Sequence, residues 1–190
     1  MSRAALLAGG LLAAGALAGC GTTTTVTVTR TVTTTRTVTA PAPGSAAACT
    51  GAELTGTFAA VPGSAGAGQI SYALTVKNVG RSACFVSGLP AVQLLDASGA
   101  KLPTHVAASR PGVGTAARVV LAPGATASAQ ARFSPDVGGT GDAQTGVCQP
   151  QATTLRVTPN GGGSLDVPIR PPTSVCERGQ LRFELYASVS

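Results

Sequence analysis

Ile70-Ser71-Tyr72-Ala73-Leu74-Thr75-Val76-Lys77 decides the fold. Ile70, Tyr72, Leu74 and Val76 alternate with Ser71, Ala73, Thr75 and Lys77. A period of two is that of a strand with one buried face and one wet face. Asn78-Val79-Gly80 follows as a turn. The same period recurs downstream. Ala125, Ala127, Ala129, Ala131 and Phe133 alternate with Thr126, Ser128, Gln130 and Arg132. At the end of the chain Leu181, Phe183, Leu185, Ala187 and Val189 alternate with Arg182, Glu184, Tyr186 and Ser188. That register predicts an outward Tyr186, a candidate contact residue.

Shorter apolar runs fill the intervals. Residues 91–95 end at Asp96-Ala97-Ser98-Gly99, and Val119-Val120-Leu121 precedes Pro123-Gly124. Leu155 with Val157, and Leu165 with Val167 and Ile169, mark two more strands. No segment keeps a helical period over three turns. Seven to nine short strands with frequent turns predict an all-β domain, an immunoglobulin-like antiparallel β-sandwich, with a barrel as the alternative.

Composition agrees with short strands. The chain carries 25 Gly and 13 Pro, which punctuate it densely, and aromatics are 3% with no Trp, so the core rests on Val, Leu and Ala. The richness in Ala, Gly, Pro and Thr, with Arg far outnumbering Lys, is that expected of a GC-rich genome such as an actinobacterium's. The formal charge is +6. Arg3, Arg30 and Arg36 lie outside the domain, leaving ten basic residues against seven acidic ones, a net of +3 over residues 49–190. That is too weak to argue for nucleic acid.

Residues 1–20 have the build of an export signal: Arg3 supplies a positive start, and residues 4–17 form an apolar run shorter than a membrane-spanning helix needs. Leu17-Ala18-Gly19-Cys20 resembles the lipobox of bacterial lipoproteins. The resemblance implies lipidation of Cys20, cleavage before it, and a membrane tether through the N-terminal lipid at the extracytoplasmic face. Residues 21–48 are rich in Thr and Val and then Pro, too poor in large apolar groups to pack, and read as a disordered spacer. The domain then spans residues 49–190.

Once Cys20 is set aside, four cysteines remain: Cys49, Cys84, Cys148 and Cys176. An even number in an exported domain implies disulfides, with three possible connectivities. The local pairing, Cys49–Cys84 with Cys148–Cys176, is favoured because each bond closes a short loop. The absence of a Cys-x-x-Cys pair argues against a metal site.

Cys49-Thr50, Leu54, Gly68-Gln69, Leu74, Asn78, Gly80, Cys84 and Gly88-Leu89-Pro90 follow one another in an order that extends through Val92, Leu94, Asp96, Gly99, Leu121-Ala122-Pro123-Gly124, Cys148 and Cys176. The order resembles an uncharacterised domain family, number 4232 among the domains of unknown function, found mostly in actinobacterial exported proteins and lipoproteins. The resemblance covers about residues 49–189. It implies a β-sandwich outside the cytoplasm and carries no known activity.

Chemistry is sparse. His105 is the sole histidine, which leaves multi-histidine metal sites unsupported. Gly63-Ser64-Ala65-Gly66-Ala67-Gly68 leads into a strand, whereas phosphate loops lead into helices. Gly138-Gly139-Thr140-Gly141-Asp142 has too few carboxylates for calcium and reads as a surface loop. Seven carboxylates show no acid–base pair, and no cofactor motif is present. The expectation is a monomeric, non-enzymatic binding or interaction module of the cell envelope, with an envelope protein or cell-wall component as partner. The alternative is an envelope hydrolase with a loop-built site.

Overall fold

A computed structural model of the protein describes residues 46–110, 112, 117–143 and 145–189. Residues 1–45, with the expected export signal, Cys20 and most of the expected 21–48 spacer, lie outside the described residues. Twelve strands are formed in order: β1 (Ala47–Ala48), β2 (Leu54–Ala60), β3 (Ile70–Asn78), β4 (Cys84–Ser87), β5 (Ala91–Leu95), β6 (His105–Ala108), β7 (Arg118–Leu121), β8 (Thr126–Phe133), β9 (Ala152–Thr158), β10 (Leu165–Thr173), β11 (Gln180–Phe183) and β12 (Ala187–Ser188). A 3-10 turn, Gly51–Glu53, precedes β2, and a single helical turn, Cys176–Gly179, precedes β11. Among the described residues no helix is long and apolar enough to cross a membrane.

The strands form two sheets, so the domain is an all-β, sandwich-like fold stapled by two disulfides. The small sheet runs β1-β4-β7. The large one runs β5-β9-β10-β2-β3-β8-β11-β6, with β12 also on β8. Most pairs are antiparallel, but β1–β4, β2–β10 and β6–β11 are parallel. The two end strands of the large sheet are linked by the chain between them. Lys101 bridges to Leu95, and the Leu102 N–H donates to the Leu94 carbonyl at 2.9 Å. Residues 105–108 then pair with β11, so one segment passes from the first strand of the order to the last.

The central pair behaves as its sequence dictates. Tyr72, Leu74 and Val76 of β3 are buried, as are Ala127, Ala129, Ala131 and Phe133 of β8, in unbroken register from Ile70↔Phe133 to Lys77↔Thr126. Small alanines on β8 leave room for the large groups of the facing core. Phe58, Tyr72, Phe133 and Phe183 fill it, with ring centroids 5.2 Å apart for Phe58–Tyr72 and for Tyr72–Phe133, and 6.1 Å for Phe58–Phe183. Each such ring contributes about 1.5–3 kcal/mol by burial. The Tyr72 hydroxyl donates to the Pro171 carbonyl at 3.0 Å.

β2 pairs with β3 along its whole length, although its alternation is muted in the sequence. Gly56 stands at an inward position between Leu54 and Phe58, and a Cβ there would come within 2.4 Å of the Thr75 carbonyl oxygen. β10 contains Pro168, Pro171 and Pro172 and pairs irregularly with β9: the register jumps between Pro168 and Thr173. A proline offers no N–H to the ladder, so the irregularity sits where donors are missing.

Candidate functional site

A pocket of about 360 Å³ opens on the described surface. Three separate segments form it: Ala108, Ser109 and Arg110 at the end of β6, Phe183, Glu184 and Leu185 at the end of β11, and Leu89 of the β4–β5 turn. The Ser109 N–H donates to the Phe183 carbonyl at 2.8 Å, which extends the β6–β11 pairing to the pocket edge. Leu89, Phe183 and Leu185 make apolar walls, while Arg110 and Glu184 bring opposite charges. No ion pair joins those two among the described residues. The size and the mix of apolar walls with a few polar groups suit a small ligand or the anchoring side chain of a partner.

The fate of Tyr186 is tied to this pocket and corrects the expectation of an outward residue. Tyr186 is only 8% exposed. Phe183 pairs with Ala131, and Ala187 with Ser128. Four steps on one strand therefore match three on the other, and the extra residue is a bulge. A one-residue shift sends each following side chain to the opposite face. The Tyr186 ring turns inward, its N–H donates to the Gly88 carbonyl at 3.2 Å, and burial pushes its phenol pKa well above the ordinary tyrosine value. Tyr186 thus secures the strand end behind Leu185 and presents no exposed contact.

His105 is exposed at the start of β6, in register with Gln180, and does not line the pocket. Among the described residues no group of three or more His, Cys, Asp or Glu side chains could hold a metal. The cysteines are bonded as Cys49–Cys84 and Cys148–Cys176.

Four of the seven carboxylates are occupied with local structure. Asp166 receives both the Nε of Arg156 at 2.7 Å and its Nη2 at 2.8 Å. Glu53 accepts from the Thr50 N–H and hydroxyl, each at 2.8 Å, and Asp96 accepts from the Ser98 hydroxyl at 2.6 Å and from the N–H groups of Ala100 and Ser98; these bonds lower both pKa values. Asp142, expected in a plain surface loop, is instead the hub of one. It is 7% exposed, and its oxygens accept from Gln149 Nε2 at 2.8 Å and from the N–H groups of Gly139 at 2.8 Å, Glu177 at 2.5 Å and Arg178 at 2.8 Å. Hydrogen bonds from Gln149 and these amides hold its pKa down at about 2. Glu177 and Arg178 have φ of 53° and 58°, a left-handed conformation that is costly for such residues and here aims two successive N–H groups at one carboxylate.

None of the pocket residues carried a signal of its own in the sequence. Gly88-Leu89-Pro90 stood out only as part of the ordered pattern of turns, and Phe183, Glu184 and Leu185 only as part of the last strand's alternation. Residues 49–185 match the domain family DUF4232, a domain of unknown function. No curated protein and no solved structure matches the chain.

Proposed function

The chain belongs to the DUF4232 family, and on that footing we propose that it is a lipid-anchored binding or interaction module on the extracytoplasmic face of the cell membrane. The observation that carries the binding role is the pocket between Leu89, Arg110, Glu184 and Leu185, apolar at its walls and charged at two points. The remaining features support the compartment. Cys20 ends a stretch that resembles a lipobox, a Thr-rich spacer follows it, and the domain is held by two disulfides, which persist where thiols are oxidised. The partner is an envelope protein or cell-wall component, bound by a monomer without catalysis.

Two measurements test this reading. Replacing Cys20→Ser in the full chain should release the domain from the membrane fraction or leave an uncleaved precursor. Normal retention of a correctly cut product overturns the anchor. A photo-crosslinker at position 185, beside one at the exposed position 97, tests the pocket in intact envelopes. A defined envelope component should attach at 185 alone and disappear with Leu89→Arg. Equal capture from both positions, or none from 185, overturns the pocket as the binding site.

A further inference from the structure

The geometry points to a second site, a phosphate-recognition surface on the outer face of β3, β8 and β11, built on Arg132 and Arg182. Arg182 stands directly opposite Arg132 in the β8–β11 ladder. Residues so paired project from the same face with Cβ atoms about 5 Å apart, and like charges there destabilise the sheet. Both arginines are exposed. Neither has a carboxylate partner, since the one ion pair among the described residues is Arg156–Asp166.

That pair shows how the same sheet treats an outward arginine elsewhere. Arg156 faces Asp166 across the β9–β10 ladder and is gripped at both ends of the fork. At the equivalent cross-strand position Arg132 meets a second cation. Its Nε donates to Gln69 Oε1 at 2.7 Å, which fixes the direction of the guanidinium and leaves both Nη groups to an outside acceptor. Arg182 has no hydrogen-bonded side-chain partner among the described residues.

The neighbours keep the face open. Ser71 is the next residue in the row, opposite Arg132 on β3, and Ala73 with Gln130 forms the row beside it. Ser71 and Ala73 are too short to shield the guanidinium groups. Arg170 lies on the same face, next to Ala59 across β2. Glu184 is the nearest acidic residue in sequence; its N–H donates to the Gln130 carbonyl at 2.8 Å, and it forms no ion pair with either arginine among the described residues. Two adjacent planar forks match the oxygens of a phosphate mono- or diester better than two lysines would. A bound phosphate relieves the repulsion that the strand pairing imposes.

The test uses the full chain and its Arg132→Gln/Arg182→Gln variant, with Arg156→Gln as a control for loss of an unrelated surface cation. Inorganic phosphate is titrated first, and side-chain Nε–H resonances of arginine are followed by NMR. Saturable shifts in the millimolar range are expected, with affinity falling about tenfold or more in the double variant and unchanged in the control. Vesicles of phosphatidylglycerol and of phosphatidylcholine then separate the two sources of the ligand. Preference for the anionic vesicles that vanishes in the double variant assigns a lipid headgroup, and phosphate binding without that preference assigns a soluble or polymeric phosphate. Equal phosphate affinity in the double variant, or shifts that never saturate, overturns the site. A thermal readout guards against a folding artefact. Arg182→Thr should melt higher than the wild type without phosphate and lose its stabilisation by phosphate; a lower melting point without phosphate means the arginine pair is structural and overturns the proposal.

Discussion

Two disulfide-stapled regions of this domain close loops of similar length and are organised around opposite kinds of hub. Cys49–Cys84 spans 35 residues and Cys148–Cys176 spans 28. The first encloses Asn78, which is fully buried and neutral. Its Nδ2 donates to the carbonyls of Ser82 at 2.8 Å and Leu121 at 2.9 Å, and its Oδ1 accepts from the Gly80 N–H at 2.8 Å. The second is gathered by Asp142, an ionised group that accepts only. An amide both donates and accepts, so Asn78 can join backbone groups of either kind from β7 and the β3–β4 turn. A carboxylate collects donors alone, and it draws Glu177 and Arg178 into a left-handed geometry that an amide oxygen would hold less firmly. The neutral hub works at any pH, whereas the charged one ties its loop to an ionised state.

The largest expected effect comes from the staples themselves. Loop entropy alone assigns about 3–4 kcal/mol to each, with little difference between them. Cys49→Ser/Cys84→Ser and Cys148→Ser/Cys176→Ser should each lower the unfolding free energy extrapolated from urea titrations by that amount, and the second should also erase the acid sensitivity that Asp142 confers. Two variants with parallel stability curves from pH 7 to pH 2 would remove the distinction between the regions.

A smaller loss follows from Asn78→Ala. Two carbonyls and one N–H lose a buried partner, for about 2–4 kcal/mol in all. The loss should be the same at pH 7 and pH 3, because nothing titrates at that position. A loss that changes with pH would assign the first region a charge it does not show.

The subtlest effect lies in acid. The folded Asp142 pKa is about 2, against an ordinary aspartate value near 3.9 in the unfolded chain. A carboxyl depressed in the folded state stabilises above the unfolded pKa, and that contribution fades as pH falls from about 4 through about 2. Wild type and Asp142→Asn, compared by urea midpoints at pH 7, 4, 3 and 2, should differ by about one proton taken up on unfolding within that window. Glu53, Asp96 and Asp166 also have lowered pKa values and remain in both proteins, so their contribution cancels. Curves that stay a constant distance apart below pH 4 would mean that Asp142 is not held ionised.

Legibility from sequence follows the same division between local and distant causes. β3 and β8 were readable because Tyr72, Leu74 and Val76, and Ala127 through Phe133, alternate without interruption. β2 was masked by Gly56 at an inward position, where contact with the Thr75 backbone excludes a side chain. Tyr186 was misplaced because parity carries along a strand only until a bulge, and the extra residue between Phe183 and Ala187 leaves no mark in composition. The pocket could not be read at all: Leu89, Arg110 and Glu184 meet through the parallel β6–β11 pairing and the β4–β5 turn, contacts that span about a hundred residues of chain. The Arg132–Arg182 pair was hidden for the same reason, since each residue alone is an ordinary cation in an outward position.

The crossing segment between β5 and β6 has a consequence for many copies crowded side by side. An end strand normally offers a row of free amides and carbonyls to a neighbouring molecule, the first step of edge-to-edge aggregation. Here the Leu94 carbonyl is taken by Leu102, the Leu94 N–H donates to the Thr104 hydroxyl at 3.0 Å, and the Gln93 amide ties down the Leu102 carbonyl at 2.6 Å. A foreign strand could add at β5 only after residues 101–104 peeled away. The chain thus caps one edge of its own sheet, a protection that holds however densely copies are crowded.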